Sequence, residues 1–198
     1  NGGVTWAQSI INSGGSPYGI HFLDVNTGFV CGSVGVLMQT TNGGANWNML
    51  SVGGIVNLYG ICFSSALTGY IAGSAGDVYK TTNGGANWTI LTSGMTQSIN
   101  KIYALDLQNV HAVADNSRYL FTTNGGTNWT VNILAEANSN SLKSICFLDV
   151  NKGIITGNYG TQLITINGGT NWTPLFGGTN SNGFSLSFPS SNTGYAGL

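Results

Sequence analysis

Five Lys/Arg and six Asp/Glu among 198 residues leave a net charge of -1 and a charged fraction of 6%, where ordinary globular domains carry roughly 25%. With 41% hydrophobic and 11% aromatic residues, the chain lacks the composition of disordered segments, and its 31 glycines have no every-third-residue period of the collagen kind. So few cations exclude a nucleic-acid footprint and a polybasic membrane patch, no apolar run approaches the roughly 18 residues of a membrane helix, and no signal peptide is visible.

The chain opens on Asn1-Gly-Gly-Val-Thr-Trp6 and then repeats one octet at 40–47, 81–88, 122–129 and 165–172. All five tryptophans, Trp6, Trp47, Trp88, Trp129 and Trp172, close this motif, at spacings of 41, 41, 41 and 43 residues. Other columns keep the same offsets. Ile20, Ile61, Ile102, Ile145 and Leu186 form one; Phe22, Phe63, Ala104, Phe147 and Phe188 follow two residues later; Asp24, Ser65, Asp106, Asp149 and Ser190 mark a turn. The two extra residues of the last full period fall in the polar segment 136–141, where an insertion disturbs least.

Within a period, apolar residues alternate, and Gly/Asn/Ser/Asp clusters interrupt them every few residues, the pattern of short strands. In the third period strands are predicted near 101–106, 110–115, 119–123 and 129–134, with the Asn-Gly pair marking a hairpin between the last two. Four antiparallel strands in about 41 residues, repeated, specify an all-β fold, a β-propeller of four-stranded blades. The expected blades are 18–51, 58–91, 100–134 and 142–176, with partial blades at 1–11 and 183–198. Joining the two partial blades would leave a fifth blade without its third strand, and unpaired strand edges are avoided. The expectation is therefore a single propeller domain over 1–198, cut from a larger ring, seven-bladed for example.

The octet Thr-x-Asn-Gly-Gly-x-Asn-Trp resembles the Asp-box, or BNR repeat, Ser-x-Asp-x-Gly-x-Thr-Trp. Asn42, Asn83, Asn124 and Asn167 stand at its Asp; Gly44, Gly85, Gly126 and Gly169 stand at its Gly, preceded by Gly43, Gly84, Gly125 and Gly168. With the Thr-Gly-Tyr-x-x-Gly segment at 68–73, the repeat is similar to the photosystem II assembly/stability-factor type of propeller, widespread in secreted bacterial proteins. The resemblance implies the fold across the whole chain. It implies little about function, because Asp-boxes occur in sialidases, xyloglucan hydrolases, sortilin-type receptors and assembly factors alike. The box needs no ligand to be explained: Asn accepts hydrogen bonds from backbone N–H groups, the glycines turn the chain, and Trp anchors the next strand. A repeated binding loop is the alternative reading.

Chemistry-bearing residues are few. A sialidase-type site needs several arginines, and Arg118 is alone. Asp24, Asp106 and Asp149 share a turn column with Ser65 and Ser190 and read as turn caps; only Asp77, Asp115 and Glu136 lie off it, too few for a convincing carboxylate pair. His21 and His111 occupy packing columns, and Cys31, Cys62 and Cys146 make no disulfide framework. No catalytic residue, metal ligand set or cofactor is therefore expected. The expected function is a non-catalytic interaction or scaffold module of a secreted or cell-surface bacterial protein, binding protein or glycan, or other domains of the same larger protein, without nucleic acid or membrane insertion. The alternatives are a glycoside hydrolase or sialidase with catalytic residues outside this window, and a photosystem II assembly factor-like protein, against which the five cations count.

Overall fold

Each period folds into one antiparallel sheet because its short runs of Val, Ile, Phe, Tyr and Thr favour a pleated, half-buried surface and its Gly, Asn, Ser and Asp supply the turns. The computed structural model describes residues 4–5, 14–54, 56–175, 181–183, 185–190 and 193–197. Blade one comprises β1 (Pro17–Phe22), β2 (Gly28–Gly32), β3 (Leu37–Thr40) and β4 (Asn48–Leu50). Blade two comprises β5 (Leu58–Phe63), β6 (Gly69–Gly73), β7 (Val78–Thr81) and β8 (Thr89–Leu91); blade three, β9 (Ile99–Ala104), β10 (Val110–Ala114), β11 (Arg118–Thr122) and β12 (Thr130–Ile133). Blade four comprises β13 (Leu142–Phe147), β14 (Gly153–Gly157), β15 (Gln162–Thr165) and the short β16 (Thr173–Pro174), and a strand pair, β17 (Ser185–Ser190) and β18 (Thr193–Gly197), follows. In every four-stranded sheet the spatial order is the chain order, the meander of a propeller blade. Strand ends in blade three differ from the predicted ones by one or two residues. The expected partial blade at 1–11, with Trp6, lies outside the described residues apart from residues 4–5.

The first strands of successive blades, β1, β5, β9, β13 and β17, lie against one another around the axis. Four of them carry a register shift near their start, between Pro17 and Gly19, Leu58 and Gly60, Ile99 and Lys101, and Leu142 and Ser144. Such a bulge sharpens the local twist that a blade needs as it turns away from the axis. It left no separate mark in the hydrophobic pattern.

The core sits between blades. One cluster joins Phe29, Cys31 and Leu37 of blade one to Leu58, Ile61 and Ile71 of blade two; a second joins Tyr70 and Val78 of blade two to Ile99 and Ile102 of blade three. A third joins Val113 and Tyr119 of blade three to Ile145, Phe147 and Trp172 of blade four. The neighbouring blade is what buries each face: Ile61, Ile102 and Ile145 are at most 3% exposed, whereas Ile20 in the same column of blade one is 60% exposed.

Candidate functional site

The four boxes lie between the third and fourth strands of their blades and repeat one hydrogen-bond pattern. In the first, the Thr40 hydroxyl donates to Asn42 Oδ1 (3.0 Å) and accepts from the N–H groups of Asn42 (3.3 Å) and Gly44 (2.8 Å), while Asn42 Oδ1 also accepts from Asn46 N (2.9 Å). Asn83, Asn124 and Asn167 do the same with Thr81, Thr122 and Thr165. The first box glycine ties the loop to the β1–β2 type of turn in the same blade: Gly43, Gly84, Gly125 and Gly168 donate N–H to the carbonyls of Asn26, Leu67, Gln108 and Asn151. The second takes a positive φ of 85 to 90°, and Gly85, Gly126 and Gly169 lie against the preceding blade, where a Cβ on Gly126 would come within 2.7 Å of Leu91. Only glycine combines that backbone with that approach. Trp88, Trp129 and Trp172 pack into the clusters shared with the preceding blade.

These bonds use the Asn carbonyl as acceptor, which an aspartate would supply equally well. Thr122→Val, by contrast, strips the acceptor from the Asn124 and Gly126 N–H groups in a buried position. In urea unfolding, Thr122→Val is expected to lower stability by about 1–3 kcal/mol and Asn124→Asp to change it by less than about 1 kcal/mol. Equal damage from both would mean that the Asn amide nitrogen holds the turn.

The first strands enclose an axial groove of ≈ 470 Å³, reached by His21, Cys62, Lys101, Tyr103, Cys146 and Ser187 among others. Lys101 is the one permanently charged side chain lining it among the described residues. Burial, and secondarily the Lys101 charge, lowers the His21 pKa, so this ring stays neutral where it stacks on Phe63, with centroids 5.6 Å apart. Burial pushes the Cys62 thiol up to about 12 and raises Cys146 as well. These thiols stay protonated, and a thiol is a poor nucleophile. The groove offers apolar walls, neutral hydrogen-bonding groups and one cation, which suits binding. Sequence reading passed over Lys101, although its column, Gly19, Gly60, Lys101 and Ser144, otherwise holds only small residues.

The acids are engaged elsewhere. Asp24 Oδ1 accepts from the N–H groups of Asn26 (2.7 Å) and Thr27 (2.8 Å), Asp106 from Gln108 and Asn109, and Asp149 from Asn151 and Lys152; Ser65 does the same with its hydroxyl. Backbone hydrogen bonds hold the Asp24 and Asp149 pKa values down, and for Asp106 the Asn109 side chain leads. Asp115 accepts from Asn100 (2.9 Å) and pairs with Lys143 (3.3 Å). Burial pushes its pKa up, but Asn100, Ser141 and Lys143 together bring it below the ordinary value. Asn100 also donates to Leu142 O (2.8 Å), so this group ties blade three to blade four.

Residues 2–137 match the family model described as photosynthesis system II assembly factor YCF48. No curated protein matches in sequence. Among solved structures, the chain is similar to a YCF48 bound to D1 peptide, at 16% identity and a TM-score of 0.57, covering 94% of this chain and 91% of that one. YCF48 from Cyanidioschyzon merolae gives 13% identity and a TM-score of 0.60, covering 96% and 95%. A GH74 xyloglucanase from Xanthomonas campestris gives 12% identity and a TM-score of 0.77, covering 97% of this chain but 35% of that one. At these identities the structures speak to fold. The family match overturns the extracellular or cell-surface location expected from the uncharged surface, because a factor for assembling photosystem II works where that complex is built. The physical reason for the misreading is that low charge follows from the blade template, with Asn at every box Asp position, and carries no information about compartment.

Proposed function

The chain belongs to the family of photosynthesis system II assembly factor YCF48, and on that premise we propose that it is a non-catalytic binding module whose axial groove takes an extended stretch of a partner polypeptide. The observation that carries this reading is Lys101, a single cation among apolar and neutral polar walls in a groove of ≈ 470 Å³. A carboxylate on the partner pairs with it in surroundings drier than the open surface, where a charge-assisted hydrogen bond is stronger. The similar YCF48 structure bound to D1 peptide supports a polypeptide as the ligand class. Few cations counted against an assembly role in the sequence; placement outweighs number once one cation faces a groove. The boxes act as fold staples in this reading. A glycan partner has only the likeness to a xyloglucanase behind it, at 12% identity, and the turn-capping of Asp24, Asp106 and Asp149 leaves no paired carboxylates for hydrolysis among them.

Fluorescence anisotropy with a labelled D1 peptide tests the proposal. Lys101→Gln is expected to weaken binding roughly ten- to hundredfold, the equivalent of about 1.5–3 kcal/mol for a hydrogen bond to a charged group. No binding by the wild type, or equal binding by Lys101→Gln, rejects the groove.

A further inference from the structure

The first strands carry one repeat column, His21, Cys62, Tyr103, Cys146 and Ser187, to the wall of the axial groove, two residues after the column that Lys101 breaks. The Lys101 charge acts on His21 of blade one, Cys62 of blade two and Cys146 of blade four alike, so the ammonium serves the whole groove rather than one wall. Among the described residues the one ion pair joins Lys143 to Asp115, which leaves Lys101 without a carboxylate. His21 is in the same position. Its ring stacks on Phe63, but no described residue forms a hydrogen bond with its nitrogens. It also lines an adjoining cavity of ≈ 260 Å³ with Asp24, Phe63 and Ser65, so it stands where the groove opens onto the β1–β2 type of turn.

Resting on the groove reading above, we propose that His21 joins Lys101 in holding the partner's carboxylate, so that the peptide is bound together with one proton. In the free protein the ring stays neutral, because burial and the Lys101 charge both oppose a second cation. A carboxylate at the two groups reverses that balance. Its charge favours the imidazolium, which then donates a charge-assisted hydrogen bond to it. No other group facing His21 can give the same effect. Burial pushes the Cys31 and Cys62 thiols up to about 12 and raises Cys146 and Tyr103, so all four stay neutral. Phe29 and Phe63, against the ring, carry no charge, and Ser187 does not titrate. Asp24, held low by backbone N–H groups, stays an anion, and His111, packed on the far side of Phe147, protonates only near about 4. That leaves His21 as the group whose charge changes between about pH 5 and 8. The groove therefore selects a carboxylate-bearing chain over a neutral one most strongly in mildly acidic surroundings.

The test is anisotropy of the labelled D1 peptide with the whole 198-residue chain at about pH 7.5 and about pH 5.5, an interval in which a carboxylate stays ionised. Wild-type affinity is expected to tighten about tenfold on acidification, within the tenfold per pH unit that one coupled proton allows. His21→Phe, which keeps a ring on Phe63, is expected to bind with the wild type's weaker affinity at both pH values. Proton NMR of the chain's two histidines, told apart by His111→Phe, reads the coupling without the His21 variant. The peptide should move the His21 midpoint to higher pH and leave that of His111 in place. Lys101-dependent binding that is level with pH, a His21 midpoint unmoved by peptide, or a His21→Phe variant that keeps the wild-type pH dependence overturns the inference and leaves the groove reading standing. No binding by the wild type at either pH, or binding indifferent to Lys101→Gln, rejects the groove itself and this inference with it.

Discussion

Trp172→Ala is expected to lower the unfolding free energy by about 3–5 kcal/mol, the range for deleting a large aromatic from a packed core. The indole is 4% exposed, lies across a blade junction and touches rings on both sides, Tyr119 of blade three and Phe147 of blade four. Its removal takes away apolar burial and opens a cavity that two separate sheets would have to close together. Trp47→Ala is the internal control. That ring has the same place in its box, is only partly buried, and meets Phe22 of its own blade at 6.2 Å. Its loss is expected to cost about 1–2 kcal/mol, less than the full burial of a large apolar side chain. Urea unfolding of the two variants, followed by near-ultraviolet circular dichroism, measures the difference. Equal losses would show that the box tryptophan acts within its own blade and that the junction contributes little.

The same contrast explains how much was legible beforehand. The four-stranded sheets, their strand order and the junction tryptophans follow from column periodicity, because a repeat states each contact several times and noise averages out. The turn caps were legible for a related reason: Asp24, Ser65, Asp106 and Asp149 are chemically different but share an oxygen acceptor at one offset. The groove was not legible in the same way. Lys101 breaks its column, and a single break is indistinguishable from neutral variation until the first strands are seen to converge on the axis. Charge was misleading about location, since its scarcity is a property of the template.

Stability is expected to fall as the pH drops from about 6.5 towards 4, and His111 is the residue that sets this window. The ring is 5% exposed, its Nδ1 lies 2.7 Å from the Tyr119 hydroxyl, and it packs on Phe147 with centroids 4.2 Å apart. Burial pushes its pKa down to about 4, against a smaller upward pull from the Asp106 charge. The unfolded chain, with an ordinary imidazole near 6.5, therefore binds more protons than the native state throughout that interval. Stability then rises with pH, is fully present above about 6.5, and is lost on acidification by on the order of 3 kcal/mol from this residue. His21, also lowered by burial, adds in the same direction. The carboxylates whose pKa values are lowered, Asp106 and Asp115 among them, act in a separate window, because they lose their contribution only below about 4. Replacing His111 with Phe, the residue that blade one carries at this position as Phe29, separates the terms. At neutral pH the variant is expected to lose about 1 kcal/mol with the Tyr119 hydrogen bond; between pH 6.5 and 4 its stability should decline less than half as steeply as that of wild type. Thermal unfolding across that range measures both slopes, and an unchanged slope in His111→Phe would assign the acid sensitivity to His21 or to the carboxylates instead.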